Sequence, residues 1–288
     1  MSTQKLSIQK IKSTFAAIAI PTLVVIAFAL YYFLLGNPEN FKGGTTEGHP
    51  DNYLGIVYKG GIIVPILMSF FLMVITFSIE RYFTIRKATG SGSLEDFLRS
   101  VKADLAKVRI EDGIKKCEIQ KGSVGNVALA GLLTYKEVLA DNTLSKDQKV
   151  LAVQKDVEEA TSLELPMLEK NLAIIATLAS IATLTGLLGT VLGMIKAFSA
   201  LATTGTPDAM ALANGISEAL INTALGISTS AFAIVSYNYF TSQIDSITYN
   251  IDEISFSITQ GFSSSYRARV DRIFSEEQKV KNDKEVAV

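Results

Sequence analysis

The chain has 288 residues, of which 48% are hydrophobic and only 19% are charged. A soluble globular protein carries more charge and less apolar surface, so this composition favours a membrane protein. The 27 basic and 28 acidic residues nearly cancel. This balance argues against a nucleic-acid partner, because neutralising phosphates requires a basic surplus.

Residue types that carry catalysis or bind metals are scarce. The single cysteine, Cys117, cannot form an internal disulfide and lacks the companions that a zinc or iron–sulfur site requires. The single histidine, His49, leaves one candidate for a histidine-based catalytic triad. No glycine-rich phosphate loop or nucleophile motif occurs between Ala88 and Glu164. We therefore expect a protein that is not an enzyme and that holds no cofactor and no metal.

The first apolar run, Phe15 to Leu35, contains no charged residue and has about the 20 residues that cross a bilayer. No small-residue cleavage pattern precedes the break at Gly36-Asn37-Pro38. The run is interpreted as an anchor, with a cleaved signal peptide as the alternative. Residues 36–59 are polar and rich in glycine, asparagine and threonine, which predicts a loop.

The second apolar run, Gly60 to Ile79, is followed by the basic residues Arg81, Arg86 and Lys87. Positive charge at the end of a span indicates a cytoplasmic exit. The sequence thus predicts two spans that return the chain to the cytoplasm, with the loop between them outside.

The next region, Ala88 to Glu164, is charged and amphipathic. Gly90-Ser91-Gly92-Ser93 predicts a hinge, after which apolar residues recur at helical spacing. Ser145-Lys146-Asp147-Gln148 matches a capping box that starts another helix, which Pro166 is expected to kink. The region is predicted to form cytoplasmic helices.

Two further apolar runs follow. The third span extends from Leu172 to about Ala202 and contains one charge, Lys196, whose long stem is expected to snorkel to the interface. The fourth extends from Asn214 to Phe240. Isoleucines at three- and four-residue steps from Ile244 to Ile258 predict that its helix continues as an amphipathic extension.

The prediction is an all-α membrane protein with four transmembrane helices and long cytoplasmic helical extensions. The basic residues near the span ends place both termini in the cytoplasm. The predicted segments are a cytoplasmic N-terminal tail (1–14), a first span (15–35), an outer loop (36–59), a second span (60–85), a cytoplasmic helical region (86–165), a third span with a cytoplasmic start (166–202), an outer loop (203–213), a fourth span (214–242), and a cytoplasmic C-terminal helix and tail (243–288).

Small residues interrupt the third and fourth spans. Gly189 and Gly193 make a G-x-x-x-G pattern that lets helix backbones approach closely. Gly186 and Gly226 are assigned the same packing role. We expect the small-residue faces of the two spans to meet between subunits.

Hydroxyl side chains accompany these glycines. Thr183 and Thr190 are seven residues apart and share a helical face, so they can form a polar stripe that lines a path. Thr185 adds a further hydroxyl to the same span. The hydroxyls of Thr177 and Ser180 can also line the path, or they can instead donate a hydrogen bond to a backbone carbonyl one turn earlier in the same helix.

Glu218 is an ionisable residue inside the otherwise uncharged fourth span. If the helix begins near Pro207, Glu218 lies roughly 16 Å along it, too deep for a first-turn residue. An intramembrane carboxylate is costly and faces protein or water. A helix that begins at Asn214 would instead put Glu218 at the interface. Asn222 lies one turn further on, whereas Thr223 lies about 140° round the helix and need not share the Glu218 face.

Three stretches carry a recognisable pattern: 188–195 (Leu-Gly-Thr-Val-Leu-Gly-Met-Ile), 215–226 (Gly-Ile-Ser-Glu-Ala-Leu-Ile-Asn-Thr-Ala-Leu-Gly) and 237–240 (Tyr-Asn-Tyr-Phe). They closely resemble the MotA/TolQ/ExbB proton channel family, in particular its ExbB and TolQ branch. The likeness extends upstream through Glu80-Arg81 and covers most of the chain after about Gly60.

The resemblance implies roles for single residues. Thr190 matches the family's pore threonine in its L-G-T-V motif, Glu218 the glutamate of its G-I-x-E-A-L motif, and Thr223 its second threonine. Thr183, Thr185 and Asn222 are secondary candidates for pore polarity. The chain departs from the family pattern where members commonly have a proline, at Thr183 and Phe232, and in an extra N-terminal span.

The resemblance also implies an assembly in the bacterial inner membrane. It predicts a homopentamer around a pore that encloses two copies of an ExbD- or TolR-like single-span subunit. A TonB- or TolA-like protein would transmit the resulting force across the periplasm. Carboxylate and hydroxyl oxygens suit either H⁺ or Na⁺.

Two functions from other classes are alternatives. A self-contained ion channel or solute transporter would need inverted repeats or broken helices, and the four spans show neither pattern. A membrane anchor for a cytoplasmic enzyme is weaker, because the region between the second and third spans has no catalytic motif.

Overall fold

The computed structural model describes residues 2–141, 143–203 and 209–286. Over these residues it is helical, with one isolated β-bridge between Phe41 and Pro50 and no strand. The elements are α1 (Ser2–Ala29), a π-helix (Leu30–Leu35), a 3-10 helix (Pro38–Asn40), α2 (Tyr53–Tyr58), α3 (Ile63–Thr89), α4 (Leu94–Ala106), α5 (Ile110–Gln120), α6 (Gly122–Ala140), α7 (Lys146–Glu169), α8 (Leu172–Thr203) and α9 (Ala209–Val286).

Four helical segments are long and apolar enough to cross a membrane. They lie within Phe15–Leu35, Ile63–Ala106, Lys146–Ser199 and Leu212–Ser264. The number of spans and the helical character agree with the sequence analysis, and the chain is a multi-pass membrane protein. The side of the membrane on which each end lies stays a prediction.

The chain divides into two compact units. The membrane unit contains residues 1–81 and 171–240, and the extension unit contains residues 82–170 and 241–288. Helices α3 and α9 contribute residues to both units. The candidate site lies entirely in the membrane unit.

Aromatic and aliphatic side chains form a core in the membrane unit. Tyr31, Leu35 and Val64 are buried together, with Ile221 of α9 packed against them. The Tyr31 ring stacks on Tyr58 with centroids 4.7 Å apart, and the Tyr31 hydroxyl donates a hydrogen bond to the Tyr58 carbonyl at 3.0 Å. This core places the start of α3 beside the first half of α9.

The predicted periplasmic loop after the first span contains ordered structure. The Asn40 amide donates to the carbonyls of Leu34 and Leu35 at 2.8 and 2.9 Å, which satisfies carbonyls that the helix end leaves without intrahelical partners. Asn52 donates to the Asn40 side-chain oxygen at 2.8 Å and caps α2 by accepting from the Gly55 amide at 3.0 Å. Two asparagines therefore connect the end of the first span to α2.

Local sequence signals mark both ends of α7. Ser145 and Gln148 form the predicted capping box, with reciprocal side-chain to backbone hydrogen bonds of 3.4 and 2.9 Å. The helix continues through Pro166 to Glu169. Asn171 has a φ of +65°, a left-handed conformation that asparagine tolerates, and α8 begins at the next residue.

The extension unit has its own apolar core. The predicted isoleucine repeat lies on the buried face of α9, and the Tyr135 and Phe262 rings meet edge to face with centroids 4.6 Å apart. The structure thus confirms that the helix continues beyond the fourth span with one apolar face. The buried isoleucines are Ile244, Ile247, Ile251, Ile254 and Ile258.

Candidate functional site

Helices α8 and α9 approach each other along their glycines. A methyl group placed on Gly189 would lie 2.5 Å from Asn222 Cβ, and one on Gly193 would lie 2.9 Å from the Gly215 carbonyl oxygen. Such distances leave no room for a side chain. These contacts run antiparallel and lie within one chain. The expectation that the two small-residue faces meet between subunits is therefore corrected: each face is already covered by the other.

Gly186 and Gly226 also leave almost no space between the two helix backbones. A methyl group on Gly226 would lie 2.7 Å from the Ala182 carbonyl oxygen and 2.8 Å from Gly186 Cα. One turn further along α9, Ser230 donates to the Ala179 carbonyl at 2.6 Å. Small residues on both helices thus bring the polar side chains of the site close together.

Thr190 and Thr223 meet inside this contact. Their hydroxyl oxygens are in direct contact, and each also lies 3.3 Å from the Gly186 carbonyl oxygen as a hydrogen-bond donor. Both side chains are half-buried. The structure therefore brings together two of the three main candidate residues, which are 33 positions apart in the sequence.

Glu218 lies well inside α9. The helix is already formed at Ala209, nine residues earlier, so Glu218 lies about 13 Å along the described part of the helix. The alternative that the helix begins at Asn214 is wrong. The predicted start near Pro207 lies outside the described residues. Glu218 is therefore not in the first turn.

The Glu218 carboxylate has two close neighbours. The Lys196 ammonium donates a hydrogen bond to Oε2 at 2.8 Å, and the Glu218 side chain is only 16% exposed. Its other oxygen, Oε1, faces Gly61, where a Cβ atom would lie 2.5 Å away. Gly61 has a φ of +75°, which also favours glycine.

Lys196 is thus in a different place from the one that its sequence predicted. The sequence predicts a lysine whose ammonium points to the membrane interface and takes no part in the ion path. Instead, the ammonium pairs with Glu218 across the α8–α9 contact. Both Lys196 and Gly61 were missed as site residues. The signals that could have found them are a lone charge in a span and the Gly60-Gly61 pair before α3.

Asn222 faces the start of α3 and not the threonine pair. Its side chain is fully buried, packs against Gly189 and donates to the Gly60 carbonyl at 2.9 Å. Its Oδ1 atom has no hydrogen-bond partner in the described part of the chain. Asn222 therefore joins three elements of the membrane unit, with Glu218 one turn earlier on α9.

The secondary threonines lie apart from this site. Thr183 lines a cavity of about 430 Å³ together with Ser180, Ser230 and Tyr237. Thr190 lines a different, mainly apolar groove of about 630 Å³. Thr183 and Thr190 thus line two different cavities, whereas the sequence predicted one polar stripe.

Two other threonines lie on α8. Thr185 is half-buried on α8. The Thr177 hydroxyl donates a hydrogen bond to the Ala173 carbonyl at 2.8 Å. This is the hydrogen bond within its own helix that the sequence left open as an alternative. In the described ranges, no group of three or more histidine, cysteine, aspartate or glutamate side chains is placed to hold a metal ion.

The site has the chemistry of ion binding more than that of catalysis. A carboxylate can take up and release a proton or bind a hard cation, and the two hydroxyls offer further oxygen ligands. An isolated charge inside a membrane span is costly, so the protein partners of this carboxylate matter.

Known proteins share the sequence that builds this site. Residues 125–253 match the model of the MotA/TolQ/ExbB proton channel family. The chain is 32% identical over 120 residues to the Tol-Pal system protein TolQ of Pseudomonas aeruginosa, covering 42% of this chain and 52% of that protein. It is 29% identical over 117 residues to the biopolymer transport protein ExbB of Xanthomonas campestris pv. campestris, covering 41% and 46%.

A longer and weaker similarity extends over most of another relative. The chain is 26% identical over 201 residues to the Tol-Pal system protein TolQ of Haemophilus influenzae, covering 68% of this chain and 87% of that protein. The chain spans about half the length of the two relatives described before it. Residues 125–253 thus resemble the MotA/TolQ/ExbB proton channel family, and the relatives confirm the resemblance to the ExbB and TolQ branch.

Proposed function

We propose that this chain is an ExbB/TolQ-type subunit of an ion-driven motor in the bacterial inner membrane. Glu218, Thr190 and Thr223 act on the ion path or its gate. The observation that carries this proposal is a carboxylate 16% exposed inside a spanning helix, in the stretch that matches the family. Ionisable residues at such positions are costly and mark ion pathways.

The threonine pair supports the same assignment. The two hydroxyls are in contact and share one backbone acceptor, so they form one polar unit within the α8–α9 contact. This unit lies on a different face of α9 from Glu218 and Asn222. The ion path would therefore use polar groups at more than one level of the α8–α9 contact.

One carboxylate per subunit does not make a relay across the membrane, so the motor needs further acidic groups. The proposed assembly is a homopentamer that encloses two copies of an ExbD- or TolR-like single-span subunit, each supplying an aspartate. A TonB- or TolA-like protein would carry force to the outer membrane. The names of the relatives, biopolymer transport protein and Tol-Pal system protein, are consistent with this assignment.

The orientation proposed for this assembly follows the positive-inside rule. Both termini and the region 86–165 are cytoplasmic, and the loops 36–59 and 203–213 face the periplasm. Thr183, Thr185 and Asn222 would contribute secondary polarity.

The test replaces each proposed ion-path residue by an isostere. Glu218→Gln keeps the size of the side chain but removes its charge, and Thr190→Val and Thr223→Val keep the branched shape without the hydroxyl. Complexes purified with their native partners are reconstituted into liposomes under a pH or Na⁺ gradient. Ion flux is then measured per assembled complex. We expect normal assembly and loss of flux for all three variants.

Thr177→Val is the matched control, because its hydroxyl bonds only to its own helix in the described structure. It should keep normal flux. Full flux in Glu218→Gln would contradict the proposed function, and full flux in both valine variants would remove the threonine pair from the proposed path. Flux from this chain alone, without any partner, would favour the self-contained channel instead.

A further inference from the structure

We propose that Lys196 is a positioning residue for Glu218. Its ammonium is the fixed counter-ion of the carboxylate, and each ion that passes requires the pair to open and form again. This inference rests on the proposed role of Glu218 in the ion path. It assigns to Lys196 a function that neither its sequence pattern nor its place near the end of a span suggested.

The geometry of the pair is that of a charge-assisted hydrogen bond. Lys196 Nζ lies 2.8 Å from Glu218 Oε2, within the range that such bonds adopt. Lys196 belongs to α8 and Glu218 to α9, so the bond connects the two helices of the candidate site. It lies next to the tight backbone contact at Gly193, where the two helices have no freedom to separate without losing packing.

The two partners differ in how much of each side chain is exposed. The Lys196 side chain is 72% exposed, whereas the Glu218 side chain is 16% exposed. A lysine that merely anchored a helix end would direct its ammonium away from the hydrocarbon and towards water. Here the exposed side chain reaches to a carboxylate that is largely covered by protein.

The surroundings make this pair different from an ion pair on a soluble protein. Exposed pairs in water contribute little to stability, because water solvates both charges. Helices α8 and α9 both belong to segments that are apolar enough to span a membrane. Within a membrane span the attraction between two charges is stronger than in water, and an unpaired carboxylate is costlier.

The absence of a side chain on Gly61 gives the carboxylate its space. While Oε2 is bound by Lys196, Oε1 lies where a side chain on residue 61 would have to be. The left-handed backbone of Gly61 is itself unfavourable for other residues. The carboxylate thus accepts from an ammonium on one helix, and its other oxygen occupies space that a glycine leaves open.

The consequence for ion passage follows from charge balance. Paired, the ammonium and the carboxylate are neutral together. A proton that binds Glu218 removes the negative charge and leaves Lys196 without its counter-ion, and release of the proton restores both charges and the bond. A bound metal cation would compete with the ammonium for the same oxygens. Occupancy of Glu218 is thereby linked to a bond between α8 and α9.

The experiment compares Lys196→Met, which keeps an unbranched stem without charge, with Lys196→Arg, which keeps the charge. Ion flux is measured per assembled complex in liposomes, beside Glu218→Gln. Lys59→Met is the control, because Lys59 bonds to the Glu47 carbonyl in the outer loop. We expect Lys196→Met to lose flux by about tenfold or more, because it leaves the largely covered Glu218 carboxylate without its counter-ion, and Lys196→Arg to restore most of it.

A second measurement tests the pair without its partners. Melting temperatures are compared for Lys196→Met, Glu218→Gln and the double variant of the purified chain. If the pair exists, the double variant is less destabilised than the sum of the single changes. Strict additivity would overturn the pairing, and a Lys196→Arg variant as inactive as Lys196→Met would overturn the role of the charge.

The outcomes also separate this inference from the function on which it rests. Full flux in Lys196→Met together with loss of flux in Glu218→Gln overturns the Lys196 inference alone. Full flux in Glu218→Gln contradicts the proposed function itself, whatever the Lys196 variants do.

Discussion

Replacing Gly226 by alanine tests the close contact between α8 and α9. The added methyl carbon would lie 2.7 Å from the Ala182 carbonyl oxygen and 2.8 Å from Gly186 Cα. Carbon atoms normally pack about 3.5–4.0 Å apart, so the helices must separate by roughly 1 Å at this point. Overpacking of this kind costs about 1–3 kcal/mol, while alanine gains about 1 kcal/mol over glycine in helix propensity.

Gly261→Ala is the matched control in the same helix. Its new methyl carbon would lie 3.6 Å from Leu105 Cβ, an ordinary contact, so only the gain in propensity remains. We therefore expect Gly226→Ala to be less stable than Gly261→Ala by about 1–3 kcal/mol. For a unit of this size, that difference lowers the melting temperature by several degrees.

Thermal unfolding of the purified chain in one detergent measures this difference. Circular dichroism is the suitable signal, because the sequence contains no tryptophan. If Gly226→Ala melted at or above the temperature of Gly261→Ala, the backbone contact between α8 and α9 would not exist as described. The argument from glycine packing would then be refuted.

Three further predictions concern the extension unit. The Asp104 side chain is 3% exposed and pairs with two cations, one of them Lys116, so Asp104→Ala should lower the free energy of unfolding by about 3 kcal/mol. Asp112→Ala is the control at an exposed position and should change the melting temperature little. Equal effects of the two variants would contradict the argument from burial. Burial raises the pKa of the Cys117 thiol to about 12, so the thiol is neutral at pH values below that. Maleimide should therefore label Cys117 only after unfolding, and the labelling rate of the folded protein should not increase between pH 7 and pH 9. In that silent background, a cysteine at position 91, Ser91→Cys, should label only after the membrane is permeabilised, and labelling of intact cells would reverse the proposed topology.

Sequence alone determined the features of this protein that depend on local composition. The four spans follow from runs of about 20 apolar residues, because the thickness of the bilayer sets that length. The capping box at Ser145 and the apolar face from Ile244 to Ile258 depend on residues within one or two turns of each other. The same holds for Glu218 as the unusual charge of the fourth span. The stretches that resemble the ExbB and TolQ branch are equally contiguous.

Only the tertiary structure decided which residues meet. Small residues occur on several faces of α8 and α9, so helical periodicity leaves the rotation of one helix against the other undetermined. That rotation puts Thr190 on Thr223, and Asn222 on Gly189 and the Gly60 carbonyl. It also brings Lys196 to Glu218, although a lysine near a span end normally points to water. A long flexible side chain takes its direction from the charge nearest to it in space, and that neighbour lies 22 residues away in the sequence.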